Sequence, residues 1–210
     1  MKQNLLTILR NESTSNAQYR LAANKLGDIL AAECSQYFDH HTVDVKTPLA
    51  STEGTELTNG VILVPVLRAG LSLLHPFMRF YPDARVGFIG LRRDEETARP
   101  SMYYLNMPPI LPDDKVIVLE PMIATGGSVS RAIQAVLDQG ANPNQIIVAS
   151  VIASMEGLGV VRNLVPEANL HVVQIDQGLN DQKFIVPGLG DFGDRYFGTE
   201  ESEVQLKEIH

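Results

Sequence analysis

The sequence lacks several features, and each absence excludes a class of protein. Its 210 residues contain one cysteine, Cys34, so neither an internal disulfide nor a cysteine-based metal centre can form, and a reduced, cytoplasmic compartment is expected. No apolar run approaches the length of a membrane-spanning helix. The N-terminal stretch has only a short apolar patch without a cleavage site, so we expect neither export nor membrane association.

Basic residues are also scarce. Lysine and arginine number 17 against 25 aspartates and glutamates, which gives a net charge of -8. Broad binding to nucleic acid requires a basic surface, so nucleic acid is not an expected partner. An acidic protein can still bind an anionic ligand, because a few backbone amides and arginines are enough. No histidine has metal-ligand spacing, and we interpret all five as structural or solvent-facing: His40, His41, His75, His171 and His210.

What the sequence does have is an alternation of short apolar runs with helical stretches, in a composition ordinary for one globular domain. Continuous valine- and isoleucine-rich runs predict buried strands at 61–67, 86–91, 115–119, 146–152 and 170–175. Helical spacing predicts helices at 16–37, 71–80, 128–139 and up to about 164. This alternation is typical of a parallel sheet covered on both faces, whose ligand lies beyond the carboxyl ends of the strands.

Three stretches interrupt the alternation. Residues 42–58 predict a strand or two at the edge of the fold. Residues 93–114 have no helical period and contain four prolines, which indicates a long excursion or lid. The segment 177–198 is rich in glycine and turn residues.

The strongest motif lies after the predicted strand 115–119, where the chain reads EPMIATGGS. A loop of small residues there opens a helix, so its backbone amides and the hydroxyls of Thr125 and Ser128 can form a cradle for an anion. It is not a Walker A loop, because no lysine follows the glycines. The carboxylate of Glu120 suits a neighbouring ribose diol. An ordinary strand-to-helix turn remains the alternative.

Three weaker segments accompany this loop. In PVLRAG, Arg68 follows a buried strand and can approach a diphosphate, or it is a surface arginine. In GLRRDEET, the arginines can bind phosphate, or the segment is a solvated loop. The glycines between Gln177 and Arg195 indicate exposed main chain that can bind the edge of a flat heterocycle, or a turn-rich C-terminus.

Together the four segments resemble one family, the uracil phosphoribosyltransferases. VPVLRAG, GLRRDEET, PMIATGGS and GLND…IVPGLGDFGDRYFGT occur in that family's order and at compatible spacing, from about residue 61 to 199. The resemblance implies the type I phosphoribosyltransferase fold, an α/β fold with a parallel sheet flanked by helices. It implies a single domain over residues 1–210, with a core at about 60–176, a hood from about 1–58 and 177–210, and a lid at about 93–114.

The resemblance also implies roles for individual residues. Arg68, Arg93 and Asp191 would be catalytic. The 5-phosphoribosyl diphosphate (PRPP) would contact those three residues and the loop, namely Glu120, Pro121, Met122, Ile123, Ala124, Thr125, Gly126, Gly127 and Ser128. Uracil would contact Ile185, Gly190, Asp191 and Phe192, largely through main-chain atoms. Mg²⁺ is the implied cofactor; the substrate diphosphate would hold it, with no dedicated protein ligands.

The implied reaction converts uracil and PRPP to UMP and pyrophosphate, a step of pyrimidine salvage. The implied partners are these small molecules and further copies of the chain, in a homodimer or a higher homo-oligomer; activation by GTP stays open. Three features depart from the family pattern, and one is that the N-terminus lacks the His-Pro start common in bacterial members. Glu120 stands where the family usually has aspartate, and its carboxylate reaches about 1.5 Å further. Phe192 stands where many bacterial members have alanine.

The sequence leaves three alternatives to this activity. The GLGDFGD segment argues against a phosphoribosyltransferase for another base. Glu120 leaves room for a catalytically silent paralogue that binds PRPP or a nucleotide as a regulator. An RNA-binding regulator on the same fold is opposed by the acidic balance.

Overall fold

The computed structural model describes residues 1–93 and 100–199. Its α-helices there are α1 (Lys2–Arg10), α2 (Asn16–Cys34), α3 (Leu71–Phe80), α4 (Gly127–Asp138), α5 (Met155–Val161) and α6 (Phe192–Phe197). Its strands there are β1 (His40–Lys46), β2 (Ser51–Leu57), β3 (Val61–Leu67), β4 (Arg85–Val86), β5 (Phe88–Arg93), β6 (Pro100–Asn106), β7 (Lys115–Leu119), β8 (Met122–Ile123), β9 (Ile146–Ser154), β10 (Leu170–Asp176), β11 (Gly178–Leu179) and β12 (Ile185–Val186).

The central sheet has the strand order β10-β9-β7-β3-β5-β6, with β4 beside β3 and β8 beside β9. All of its described pairs are parallel except β5 with β6, which is antiparallel. Every residue of β9 is buried, as expected for a strand covered on both faces. The predicted parallel sheet is therefore confirmed, with one antiparallel strand added at its edge.

The added strand β6 lies inside the segment 93–114, which the sequence pattern marked as an excursion. Its residues PSMYYLN include β-forming tyrosines and leucine, and Pro100 stands at the first position, where no ladder donor is needed. The antiparallel pairing matches Gly90 with Tyr104. Residues 94–99 of the predicted lid lie outside the described residues.

Two hydrophobic clusters cover the two faces of the sheet. Along β3, Leu63 packs into the cluster that contains α1, α2 and α3, whereas Ile62 and Val64 pack into the cluster that contains α4 and α5. Neighbouring strand residues point to opposite faces, so a continuous apolar run supplies both clusters. Because both faces of the sheet are covered, a ligand can reach it only at the loops that follow the strand ends.

The N-terminal helices α1 and α2 pack on one face of the sheet. Helix α2 begins at a capping box in which Ser15 and Gln18 bond reciprocally, and a short 3₁₀ turn, Ser35–Tyr37, extends it to the predicted end. Helix α1 was not among the predicted helices. It forms because Leu5, Leu6 and Leu9 repeat at helical spacing and bury against α2.

The strands β1 and β2 confirm the prediction of strands within 42–58, but they form a separate two-stranded sheet. Apart from half-buried Val43 and Gly54, every residue of the two strands is exposed. The turn between them carries Leu49, whose side chain is 97% exposed. The hairpin therefore stands away from the central sheet.

The two ends of the described chain meet beside α2. The Asn16 side chain donates to the carbonyl of Arg195 at 2.7 Å, and Arg20 donates to the carbonyl of Tyr196 at 2.6 Å. The predicted hood draws on these two segments, although its residues 200–210 lie outside the described residues. Among the described helices, none combines the length and apolar character needed to cross a membrane.

Candidate active site

The loop EPMIATGGS occupies the carboxyl end of β7, as predicted. The chain leaves β7 at Glu120, pairs briefly with β9 through β8, and enters α4 at Gly127, one residue before the predicted helix start. Gly126 precedes the helix with φ of +77°, a conformation that favours glycine. The first turn of α4 thus opens directly from the loop, which leaves its amides facing the strand ends.

Backbone packing fixes the rear of this loop. A Cβ added to Gly126 would lie 2.6 Å from the carbonyl oxygen of Gly157 in α5. The Ser154 hydroxyl donates to the carbonyl of Ala124 at 2.6 Å and accepts from the amide of Gly157 at 2.9 Å. The two glycines are needed because the loop and α5 approach each other main chain to main chain.

The front of the loop is open and polar. A concavity of about 80 Å³ is lined by eight consecutive residues, 122–129. The side chains of Thr125 and Ser128 are exposed there, and the Gly127 amide lies 3.4 Å from the Thr125 hydroxyl. Amides and hydroxyls at the start of a helix suit a phosphate group.

Glu120 lies beneath this loop rather than on its surface. The residue is 8% exposed, and its carboxyl accepts a hydrogen bond from the backbone amide of Met122. Burial raises the pKa of Glu120 to about 8; the Met122 bond opposes this shift and the nearby charge of Asp191 adds to it. The raised pKa therefore favours the protonated form of Glu120.

Asp191 approaches Glu120 from the C-terminal segment. It is the N-cap of α6, where its carboxylate accepts from the amide of Asp194 at 2.8 Å. Its charge acts on Glu120, so the structure brings together two acids that are 71 residues apart in the chain. Both were predicted site residues.

Arg68 connects the strand ends of the central sheet to the C-terminal segment. It follows β3, after a cis peptide bond with Leu67, and its side chain is 61% exposed. The guanidinium donates to Oδ1 of Asp194 at 2.9 Å, and the Thr199 hydroxyl donates to the same oxygen at 2.6 Å. The predicted diphosphate arginine therefore lies at the start of α6, next to the predicted base segment.

Arg93 is the last residue of β5, two residues beyond the predicted strand end at Leu91, so its backbone lies at the carboxyl edge of the sheet. The role predicted for its side chain, and residues 94–97 of GLRRDEET, lie outside what the structure describes.

The predicted base segment, called here the base loop, comprises residues 185–192. Ile185 and Phe192 are buried. The centroid of the Phe192 ring lies 5.3 Å from that of Tyr19 and 6.4 Å from that of Tyr196. Gly190 is exposed, with φ of +78°. Leu189 is also buried, whereas Val186 is exposed. Recognition of uracil by the main chain of this segment stays a prediction.

Sequence reasoning missed the residues that hold the base loop. Arg10 and Asp176 form an ion pair at 2.6 Å beside Gly188, and Arg195 donates to the carbonyl of Leu189 at 2.8 Å. Asp176 offered a signal, because it is an acid at the carboxyl end of a strand. A cavity of about 330 Å³ lies here, lined by Arg10, Glu12, Pro187, Gly188, Leu189, Gly190 and Arg195.

The acidic groups of the site are compatible with a metal ion that the substrate holds. Within residues 1–93 and 100–199, no three His, Cys, Asp or Glu side chains cluster as metal ligands. Glu120 is buried and Asp191 caps a helix. Mg²⁺ usually binds through one or two carboxylates together with substrate phosphates, and this donor set is compatible with that arrangement.

Comparison with solved structures first places the fold. A purine phosphoribosyltransferase from Pyrococcus horikoshii matches 75% of this chain and 85% of its own with a TM-score of 0.51 and 15% identity. A mostly parallel sheet flanked by helices, with a glycine-containing loop at its carboxyl edge, is the type I phosphoribosyltransferase fold. The AQ2163 protein from Aquifex aeolicus matches with a TM-score of 0.83 and 32% identity over 95% of each chain.

Comparison of sequences then gives the family. The family model for uracil phosphoribosyltransferase matches residues 1–199. The uracil phosphoribosyltransferase of Mycoplasma genitalium is 39% identical over 93% of this chain and 94% of its own length. That of Salinibacter ruber is 41% identical over 94% and 93%. The chain belongs to the uracil phosphoribosyltransferase family.

Proposed function

We propose that this protein transfers the phosphoribosyl group of PRPP to uracil, forming UMP and pyrophosphate in pyrimidine salvage. The observation that carries the proposal is the 2.9 Å ion pair between Arg68 and Asp194. It joins the end of β3 to α6, directly after the base loop. Residues 120–128, the loop after β7, are called here the anion-binding loop; they begin next to Gly70, since a Cβ added there would overlap the Leu119 carbonyl oxygen. Family membership supports the same reaction. No observation on the described residues favours a silent binding paralogue.

The donor would bind across the carboxyl ends of the strands. Its 5-phosphate fits the concavity of residues 122–129, where the first-turn amides of α4 and the hydroxyls of Thr125 and Ser128 can donate to phosphate oxygens. The ribose then lies near Glu120, whose carboxylate can accept hydrogen bonds from both hydroxyls. Such acceptance favours the ionised form, so donor binding would draw the proton from Glu120.

Arg68 would bind the pyrophosphate together with Arg93. The Arg68 side chain is well exposed and is already oriented by Asp194, so a diphosphate can bind its remaining donors. Breaking the C1–O bond leaves positive charge on the ribose and adds negative charge to the leaving group. A guanidinium at the leaving group stabilises that developing charge.

Mg²⁺, when bound with the diphosphate, would neutralise part of its charge. Glu120 and Asp191 would be the carboxyl groups that this chain offers to the ion. We also propose that Asp191 lies between the base and the donor, since it belongs to the base loop and its charge acts on Glu120. Because N1 of uracil attacks directly, no covalent intermediate with a side chain is needed.

Uracil would be recognised by main-chain groups of the base loop, with Ile185, Gly190, Asp191 and Phe192 around it. The first turn of α6 has amides without intrahelical partners, and Asp191 uses its side chain for only one of them, that of Asp194. An amide that donates to the 4-carbonyl of uracil meets the amino group of cytosine as donor against donor. Fixed polar groups of this kind discriminate strongly, because the wrong base leaves them unpaired.

We further propose a homodimer or higher homo-oligomer with a hood (1–58 and 177–210) and a lid (93–114). A two-stranded hairpin exposed on both faces is marginally stable alone, which supports packing of β1 and β2 on a second copy. A cytoplasmic location agrees with the single, unpaired Cys34.

The proposal is tested by base specificity. Purified protein is mixed with PRPP, Mg²⁺ and labelled uracil, with and without GTP, and nucleotide formation is followed. Parallel reactions contain cytosine or hypoxanthine. We expect UMP from uracil and at least about 100-fold slower product from cytosine. Equal use of cytosine, preferred use of hypoxanthine, or PRPP binding without any product would contradict the proposal.

A further inference from the structure

A largely buried ion pair joins the N-terminal helix to the end of an edge strand. Arg10, the last residue of α1, donates through Nη2 to Oδ1 of Asp176 at 2.6 Å and through Nη1 to Oδ2 at 2.8 Å. Asp176 ends β10, and its side chain is 3% exposed. This two-point geometry fixes the orientation of both side chains.

The same pair binds both polar groups of one residue of the base loop. Arg10 Nη1 donates to the carbonyl of Gly188 at 2.7 Å, and the Gly188 amide donates to Oδ2 of Asp176 at 2.9 Å. Gly188 has φ of +63°, and an added Cβ would overlap the carbonyl oxygen of Ile185. Its backbone is therefore held in one position by these bonds and by the turn itself.

A second arginine connects the neighbouring residue to the same end of α1. Arg195 donates to the carbonyl of Leu189 at 2.8 Å, to that of Leu9 at 2.5 Å and to that of Asn11 at 2.7 Å. Two consecutive residues of the base loop, Gly188 and Leu189, are thus bonded to elements that meet at the end of α1. The position of the loop depends on where that helix ends.

We infer that Arg10 and Asp176 are positioning residues for the base: they fix Gly188 and thereby the main-chain groups at Gly190 and beyond that bind uracil. This inference rests on the proposed function. The pair acts through the loop and needs no contact with the reacting atoms. Bonding to Arg10 also holds the pKa of Asp176 below its ordinary value, so the pair stays charged at neutral pH.

Different contacts fix the loop that would bind the base and the loop that would bind the donor. The anion-binding loop is fixed by other contacts, between Ser154 and Ala124 and between Gly126 and Gly157. Loss of the Arg10 bonds should therefore weaken uracil binding and leave PRPP binding nearly unchanged. A residue that merely stabilises the fold would affect both substrates.

Two variants and a matched control test this separation. Arg10→Ala removes the ion pair and the bond to Gly188, whereas Arg10→Lys keeps the charge but cannot form the two-point contact. Lys2→Ala is the control, because Lys2 lies on the same helix and forms an ion pair at 2.7 Å with Glu33 of α2 instead. The measured quantities are kcat and the KM values for uracil and PRPP.

We expect Arg10→Ala to raise KM for uracil at least about tenfold, the scale of one charged buried hydrogen bond. KM for PRPP should stay within about twofold of wild type, and Arg10→Lys should be intermediate. Lys2→Ala should change neither constant. The inference is overturned if Arg10→Ala raises both KM values together or leaves KM for uracil unchanged. It is also overturned if Lys2→Ala raises KM for uracil as much as Arg10→Ala does.

Amide hydrogen exchange supplies a readout that does not require activity. Exchange in residues 185–190, without substrates, should be at least about tenfold faster in Arg10→Ala and unchanged in Lys2→Ala. Unchanged exchange in Arg10→Ala overturns the inference. If Arg10→Ala does not fold, the same measurements on Arg10→Lys decide. A wild-type protein that forms no UMP would instead contradict the proposed function, while exchange would still report whether the pair holds the loop.

Discussion

Glu120 follows the last residue of β7, at a position where an acidic side chain was predicted to face the ribose. The structure buries this side chain and bonds it to the Met122 amide, next to the charge of Asp191. Burial raises its pKa to about 8, so the folded protein without ligand holds a proton that the unfolded chain releases above its ordinary pKa of 4.5.

The proton on Glu120 makes stability depend on pH. Between pH 4.5 and 8 the folded state binds more protons at this residue than the unfolded state does. The free energy of unfolding of the protein should therefore fall as pH rises. The expected fall from this residue is roughly 3–5 kcal/mol. Glu120→Gln should remove that part of the slope and be the more stable form at pH 8. Urea unfolding at pH 5, 6.5 and 8 checks this, and parallel curves for the two proteins would contradict it.

Gly126 matters at the scale of an element, because it sets how the loop meets both α4 and α5. Alanine there would adopt a left-handed conformation and also approach the Gly157 carbonyl. We expect Gly126→Ala to lower the free energy of unfolding by more than the roughly 1–3 kcal/mol that the strained backbone conformation alone would cost. The same substitution should raise KM for PRPP.

Gly140 provides the matched control for Gly126. It has φ of +100°, and an added Cβ meets nothing within 4 Å. Gly140→Ala should therefore lose only the conformational part of the free energy of unfolding, with KM for PRPP unchanged. Thermal unfolding and steady-state kinetics of the two variants compare these effects directly; equal losses would show that packing against Gly157 contributes nothing.

The elements differ in how far the sequence predicts them. Strands β3 and β7 and helix α3 end at the predicted residues, because continuous apolar runs and helical spacing are local signals. The loop after β7 was predictable for the same reason. Strand β6 was not, since its proline and exposed side chains hide a strand whose pairing with β5 is a tertiary feature.

The candidate site shows the same division at the scale of the whole molecule. Arg68, Glu120 and Asp191 were named from motifs and a family resemblance, and the structure brings them to the strand ends and the start of α6; their roles toward the substrates stay predictions. The contact of Arg10 with Asp176 was not, because 166 residues separate the partners and nothing local marks either one as paired. Arg195 belonged to a recognised motif, but its bonds to Leu9 and Asn11 depend on α1, whose docking no short pattern reveals.

The hairpin of β1 and β2 tests assembly of the whole molecule. Leu49 at its tip is 97% exposed in one chain, and Leu21 on α2 is 61% exposed. If the hairpin packs on a second copy, Leu49→Asp should shift the sedimenting species toward the monomer, because a charge would be buried without a partner. Leu21→Asp serves as the exposed control and should sediment like wild type. A wild-type monomer, or no shift for Leu49→Asp, would contradict this placement.

The central claim is that the strand-end loops joined by Arg68 catalyse transfer of the phosphoribosyl group to uracil. Its most direct test is kcat/KM for UMP formation in wild type, in Arg68→Ala and in Arg162→Ala, a control that removes an arginine from a surface ion pair with Glu167. We expect an active wild type, an active control and a loss of roughly 100-fold or more in Arg68→Ala, since one charged donor to the leaving group is gone. Equal rates in all three proteins, or no UMP from the folded wild type, would contradict the claim.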